Sequence, residues 1–143
     1  MISQLRKTFK KKKLVLLYLD LVKAKTYLLE KNLEECYETL LDTQKKLEKE
    51  RKIPKQILCL LNEVWASYQW QRENYQRCHQ SLLSFLVYSD LNRLSPKEQE
   101  QVIYRLIVCK IYFILFNLIK SFISYSKSIK FFCIIKTRYY TKI

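Results

Sequence analysis

"KNLEECYETLL", residues 31–41, is similar to a second stretch later in the chain, "ENYQRCHQSLL", residues 73–83, and these two stretches decide the fold. Four identities recur at an offset of 42 residues: Asn32 with Asn74, Cys36 with Cys78, Leu40 with Leu82, and Leu41 with Leu83. The apolar positions of the first copy follow the spacing i, i+3, i+4 and i+7, which is typical of one face of a helix. The repeat therefore predicts the same helix built twice, as the second helix of two consecutive hairpins.

The two copies supply the predicted structural core. Its ten members are the apolar-face residues Leu33, Cys36, Tyr37, Leu40, Leu41, Tyr75, Cys78, His79, Leu82 and Leu83. Ala24 and Ala66 share the 42-residue offset, and small side chains at these positions would let paired helices approach closely. These residues are predicted to define the architecture of the fold and to carry no chemistry.

Apolar periodicity and local start signals predict five helices along the chain. Their predicted bounds are about 14–30, 33–51, 54–71, 74–88 and 97–116. Asn32 with Glu35 predicts an N-terminal cap, and Ser95, Pro96 and Glu98 together give the strongest start signal in the sequence. Two hairpins and a further helix predict an all-α fold, a TPR-like stack of antiparallel αα-hairpin repeats.

The residue types present exclude several kinds of functional site. The chain has no glycine, which phosphate-binding loops and dinucleotide-binding turns require for positive φ and close backbone approach. The five cysteines are at least nineteen residues apart, so no paired metal-ligand spacing exists. We interpret them as reduced thiols of an intracellular protein, most of which fill its core. Cys78 and His79 point about 100° apart on a helix, and His79 is the single histidine. We expect no catalytic, cofactor or metal site.

The formal net charge of +14 is concentrated at the two ends of the chain. Residues 1–13 and 111–143 each carry six Lys or Arg and no acid, whereas residues 14–110 hold fifteen basic residues and all thirteen acids. This pattern predicts a basic N-terminal end (1–13), a helical-repeat domain (14–110) and an atypical basic and apolar tail (111–143). The run Lys10–Lys13 fits an import signal, a phosphate contact or a solubilising end. A nucleic-acid partner is not expected, because a nucleic-acid binder concentrates its basic residues on one structured face.

The tail, residues 111–143, is open to three interpretations. One interpretation is a membrane segment. Every apolar stretch of about twenty residues is interrupted, however, by polar or charged residues, namely Arg105, Lys110, Asn117 and Lys120, so no membrane partner is expected. The tail also fits a final helix that packs on the stack. Its composition, almost entirely Ile, Phe, Leu, Tyr, Ser, Lys and Asn, is further typical of AT-rich non-coding DNA read in frame, which is the interpretation we favour.

Two runs carry a family likeness: "YLLEKNLEECYETLLD", residues 27–42, and "SYQWQRENYQRCHQSLLSFLVYSDLNRLSPKEQE", residues 67–100. An aromatic pair, an Asn-containing turn, a Leu-x-Phe-Leu segment, a short acidic linker and a helix with early glutamates follow in order. Residues from about 14 to 105 resemble the middle portion of the proteins in one family, that of non-ATPase regulatory subunit 13 of the 26S proteasome. These proteins are lid subunits of the PCI class.

The resemblance implies a PCI-type helical stack and a non-catalytic scaffold that assembles with other proteasome lid subunits, in the cytoplasm and nucleus. The family has further repeats ahead of this stretch and a winged-helix module after it, so we expect a fragment. Alternatives are a generic helical-repeat adaptor, a PCI subunit of the signalosome or of a translation initiation factor, and a small basic nucleic-acid or membrane-surface binder. An enzyme and a small-molecule substrate are not expected.

Overall fold

The computed structural model describes the backbone of residues 2–140 and the side chains of residues 12–126. Within these ranges the chain forms five α-helices and one 3₁₀ turn and contains no strand. They are α1 (Ile2–Leu29), α2 (Leu33–Glu48), α3 (Lys55–Gln71), α4 (Tyr75–Tyr88), the 3₁₀ turn Leu91–Arg93 and α5 (Pro96–Tyr140). The prediction of an all-α helical-repeat stack is confirmed.

The helices associate in chain order as two hairpins followed by a single helix. α1 packs on α2 and α3 packs on α4, while α5 lies against α4. The two hairpins meet chiefly where α1 packs on α3. There Lys25 Nζ and Glu63 Oε1 form an ion pair of 2.6 Å, and Gln71 Nε2 donates to the Leu28 carbonyl oxygen at 3.3 Å. This order is that of an αα-repeat stack in which each unit contacts its neighbour.

Two layers of core side chains lie between successive helices. The first layer joins α1, α2 and α3 and contains Leu21, Leu40 and Val64, all almost fully buried. The second layer joins α3, α4 and α5 and is built on Ala66, Cys78, Leu82 and Cys109. α3 contributes buried residues to both layers, so it is the element that couples the two hairpins.

The turns inside the two hairpins are the same structure, built 42 residues apart. Lys31 and Glu73 take φ values of 59° and 56°, the left-handed region that usually calls for glycine. In each turn the next residue, Asn32 or Asn74, donates its N–H to the carbonyl five residues back at 2.9 Å. Its side-chain oxygen then accepts the backbone N–H three residues later at 3.3 Å, which caps the following helix. The predicted cap at Asn32 is thus present in both copies.

α5 begins at the predicted start signal. The Ser95 backbone N–H and hydroxyl both donate to Glu98 Oε2, at 2.8 and 2.7 Å, and the Glu98 N–H donates back to Ser95 Oγ at 3.3 Å. This reciprocal pair satisfies donors that a helix N-terminus would otherwise leave unbonded. The same hydrogen bonds hold the pKa of the Glu98 carboxyl below its usual value.

Two helices are longer than the sequence predicted. α1 begins at Ile2 instead of near residue 14, and α5 continues to Tyr140 instead of ending near residue 116. The chain has no glycine, and its two prolines stand at 54 and 96, so neither stretch contains a helix-breaking residue. No break in secondary structure marks the predicted boundaries at 13/14 and 110/111.

Candidate interaction surface

The structure places the ten predicted core residues at three depths. Those fully buried are Cys36, Leu40, Cys78 and Leu82. Those half-buried are Leu33, Leu41, Tyr75 and His79. Two are exposed, Tyr37 at 39% and Leu83 at 47%.

Leu83 differs from its predicted place in the core because the buried stripe of α4 is narrow. That stripe consists of Cys78, Leu82 and Phe85, spaced i, i+4 and i+7. Leu83 follows Leu82 by one residue and is rotated about 100° away from it on the helix. Tyr37 lies at the edge of the first layer, where one side of its ring meets two other aromatic rings and the other side faces solvent.

The repeated cysteines do not form a joint site. Cys36 belongs to the first core layer and Cys78 to the second, and Cys78 Sγ donates to the Ala66 carbonyl oxygen at 3.3 Å. Burial raises the pKa of the Cys36 thiol to about 11 and that of Cys78 to about 12. Protonated, enclosed thiols are poor nucleophiles and poor metal ligands. Among the described side chains, no group of three or more His, Cys, Asp or Glu could hold a metal ion.

A groove of about 600 Å³ runs across the ends of the two hairpins, beside their equivalent turns. We call it the tip groove; its lining residues are Leu33, Glu34, Tyr37, Tyr68, Gln69, Arg72, Asn74 and Arg77. Residues of α2, α3 and α4 therefore meet at one surface. The starts of α2 and α4, each capped by an asparagine, both contribute lining residues to the groove.

The tip groove combines stacked tyrosines with exposed arginines. The rings of Tyr37 and Tyr68 stack with centroids 5.6 Å apart and planes 25° apart. Arg72 and Arg77 are exposed to solvent, whereas the side chain of Gln69 is buried. Tyr and Arg are the residue types that contribute most binding energy in protein–protein interfaces. The groove is therefore suited to contact with another protein.

Sequence reasoning found only part of this groove. The sequence places Leu33 and Tyr37 in the predicted core. Gln69 was missed, although it follows Trp65 by four residues and so continues the apolar face of α3 with a polar side chain. A polar residue at an apolar-face position was the signal that could have located it.

A second, smaller recess of about 240 Å³ lies between α3 and α5, with Leu82 and Phe85 of α4 among its lining residues. Arg105 spans it by donating from Nη1 to Ser67 Oγ at 3.2 Å, and its guanidinium lies over the Trp70 ring at 5.5 Å. Arg105 therefore ties α5 to α3 where these two helices would otherwise separate. We assign it a structural role.

α5 becomes exposed on all sides as it leaves the stack. Cys109 is the last fully buried residue among the described side chains, and ring contacts continue through Tyr75–Tyr112 at 4.7 Å and Tyr112–Phe116 at 6.4 Å. Among the described residues, α5 is the one helix whose length and composition would allow it to cross a membrane. Its best 18-residue window has a mean hydropathy of 2.0, and 6% of that window is buried.

Comparison with known families identifies the stack. Residues 1–111 match the family described as PSD13 N-terminal repeats. The chain belongs to this family. Its members are the repeat portions of proteasome non-ATPase regulatory subunit 13, a regulatory lid subunit.

The PSD13 match is wider than the likeness visible in the sequence. It begins at residue 1, so it includes the basic N-terminal end, and the family description places these repeats at the N-terminus of subunit 13 instead of in its middle. It ends at residue 111, two residues after Cys109, the last fully buried residue among the described side chains of residues 12–126. Neither a curated protein nor a solved structure matches the chain.

Proposed function

We propose that this chain is a non-catalytic scaffold subunit in the lid of the proteasome regulatory particle. Its repeats would hold other lid subunits in position and so support protein degradation in the cytoplasm and nucleus. The observation that carries this proposal is the PSD13 match over residues 1–111, which includes both core layers of the stack. The description of that family names subunit 13 and not a subunit of the signalosome or of an initiation factor.

The architecture supports a scaffold because it presents a fixed surface. The two hairpins are joined through α3, which contributes buried residues to both core layers, and the starts of α2 and α4 both line the tip groove. A surface that is already ordered loses little conformational entropy when a partner binds. We propose the tip groove as the contact with a neighbouring lid subunit.

The test is affinity purification of the tagged full chain from cells, followed by mass spectrometry. The parent chain is expected to bring down other lid subunits. The variant Arg72→Glu/Arg77→Glu reverses both charges in the tip groove and is expected to reduce that recovery about tenfold or more, as substitutions at central interface residues do.

The matched control is Lys45→Glu/Lys52→Glu, which makes the same charge change at two exposed residues near the opposite end of the first hairpin. It is expected to recover lid subunits like the parent. Recovery of unrelated clients without any lid subunit would reject the lid proposal in favour of a generic adaptor. Equal recovery by all three chains would reject the tip groove as the contact.

A further inference from the structure

The most exposed apolar surface of the chain is the part of α5 that extends beyond the repeats. Between residues 111 and 125 eleven large apolar side chains are each at least 42% exposed: Ile111, Tyr112, Phe113, Ile114, Leu115, Phe116, Leu118, Ile119, Phe122, Ile123 and Tyr125. A continuous apolar surface of this extent marks a contact with something other than water. It lies outside the surface that we propose for the lid contact.

This segment nevertheless has one polar side. Asn117, Lys120, Ser121 and Ser124 line the same shallow recess together with Tyr125, so their side chains share one face of the helix. Leu118 and Phe122, one residue further along than Asn117 and Ser121, lie about 100° around the helix from that face. α5 therefore carries a narrow polar strip and a broad apolar arc, a division that the sequence-based interpretation did not recognise.

Charge indicates what covers the apolar arc. Residues 101–143 contain eight Lys or Arg and no Asp or Glu. Two such segments from two copies of the chain would repel each other, whereas an anionic surface would attract each of them. A bilayer that contains anionic lipids supplies both an apolar phase for the arc and negative headgroups for the lysines.

We propose that residues 111–125 of α5 bind the surface of an anionic lipid bilayer, with the apolar arc inserted and the polar strip toward water. The window is apolar enough to cross a membrane, but every 18-residue window between Pro96 and Ser126 contains Lys110, which would then lie in the hydrocarbon, where a charged side chain is strongly disfavoured. An in-plane helix keeps Lys110 and Lys120 at the headgroups. The interruptions that counted against a membrane segment in the sequence exclude only the crossing arrangement.

The experiment is co-sedimentation of the full chain with vesicles of phosphatidylcholine alone and of phosphatidylcholine with phosphatidylserine. The parent is expected to sediment with the anionic vesicles and to remain largely in solution with the neutral ones. Raising the salt concentration should weaken binding, because screening reduces the attraction between the lysines and the headgroups.

Two double variants separate insertion from simple charge attraction. Leu118→Asp/Phe122→Asp places two acids in the apolar arc, and Asn117→Asp/Ser121→Asp places two acids in the polar strip with the same change in net charge. The first is expected to lose about a hundredfold or more in affinity for anionic vesicles, because two large side chains no longer leave water. The second is expected to lose about fivefold to tenfold.

Folding is controlled by circular dichroism of both variants, which should retain the helical signal of the repeats because the described side chains at positions 117–122 are exposed and lie outside both core layers. Equal binding by the two double variants would overturn the proposal, as would a parent that ignores both kinds of vesicle. A parent that is dimeric by light scattering, and that Leu118→Asp/Phe122→Asp converts to a monomer, would instead assign the apolar arc to a second copy.

Discussion

At the residue scale, the two hairpin turns are unusual because they reach the left-handed region without glycine. Lys31 and Glu73 have φ near 60° in turns that are otherwise identical, and the whole chain has no glycine. A side chain with a β-carbon is strained there, because the β-carbon approaches the following carbonyl oxygen. The hydrogen bonds of the flanking asparagines hold these residues in place.

Replacing Lys31 with glycine is therefore expected to stabilise the protein by about 1 kcal/mol, since the strain at this position disappears. Part of the gain is lost because glycine makes the unfolded chain more flexible. Urea denaturation of the parent, Lys31→Gly and Glu73→Gly measures the change.

Glu38→Gly is the control for this pair, because it introduces glycine at an exposed position inside α2. It should destabilise the protein by about 0.5–1 kcal/mol. A loss of stability in Lys31→Gly comparable to that in Glu38→Gly would contradict the strained-turn interpretation.

At the element scale, the sequence predicted the starts of α2, α3, α4 and α5 to within about one residue, but it missed the start of α1 and the end of α5. Asn32 and the Ser95–Glu98 pair are local signals, and each forms the hydrogen bonds that its type and spacing indicate. α1 and α5 extend beyond their predicted bounds because nothing in the local sequence opposes a helix there. Burial depended on tertiary packing: the sequence treated Leu82 and Leu83 alike, and only the position of α4 against α3 and α5 separates them.

That separation predicts a large difference between two neighbouring substitutions on α4. Leu82→Ala is expected to destabilise the protein by about 2–5 kcal/mol, because it leaves a cavity in the second core layer. Leu83→Ala should cost about 0.5 kcal/mol or less, since its side chain is already 47% exposed. The midpoint of chemical denaturation compares the two.

Both α4 variants change leucine to alanine on the same helix, so the change in helix propensity is the same in both and cancels when the two are compared. Similar losses of stability would show that the buried stripe of α4 is wider than Cys78, Leu82 and Phe85. The equivalent substitution Leu40→Ala tests the first layer in the same way, because Leu40 is also fully buried.

At the scale of the whole molecule, α3 is the element on which both core layers depend. It is buried against α1 and α2 on one side and against α4 and α5 on the other. α5, by contrast, contributes core side chains up to Cys109 and is exposed from Ile111 to Tyr125. Local stability should therefore fall from the centre of the stack toward the extended helix.

Amide hydrogen exchange of the full chain measures this gradient directly. The amides of α3 are expected to exchange most slowly, because opening them requires the loss of both layers. Amides between residues 117 and 126 should exchange much faster than those of α2, α3 and α4, since an unpacked helix is only marginally stable in water. Protection of 117–126 equal to that of α3, in vesicle-free buffer and with a monomeric chain, would contradict the exposed arrangement of α5.

The two tryptophans of the chain, Trp65 and Trp70, are five residues apart on α3 and belong to different layers. Trp65 packs with Tyr37 and Tyr68 in the first layer, and Trp70 packs with Tyr75 in the second. Each layer thus contains its own intrinsic fluorophore. Replacing one tryptophan with phenylalanine would leave tryptophan fluorescence from the other layer alone. The two single-tryptophan chains would therefore report whether the hairpins unfold in one step or in sequence.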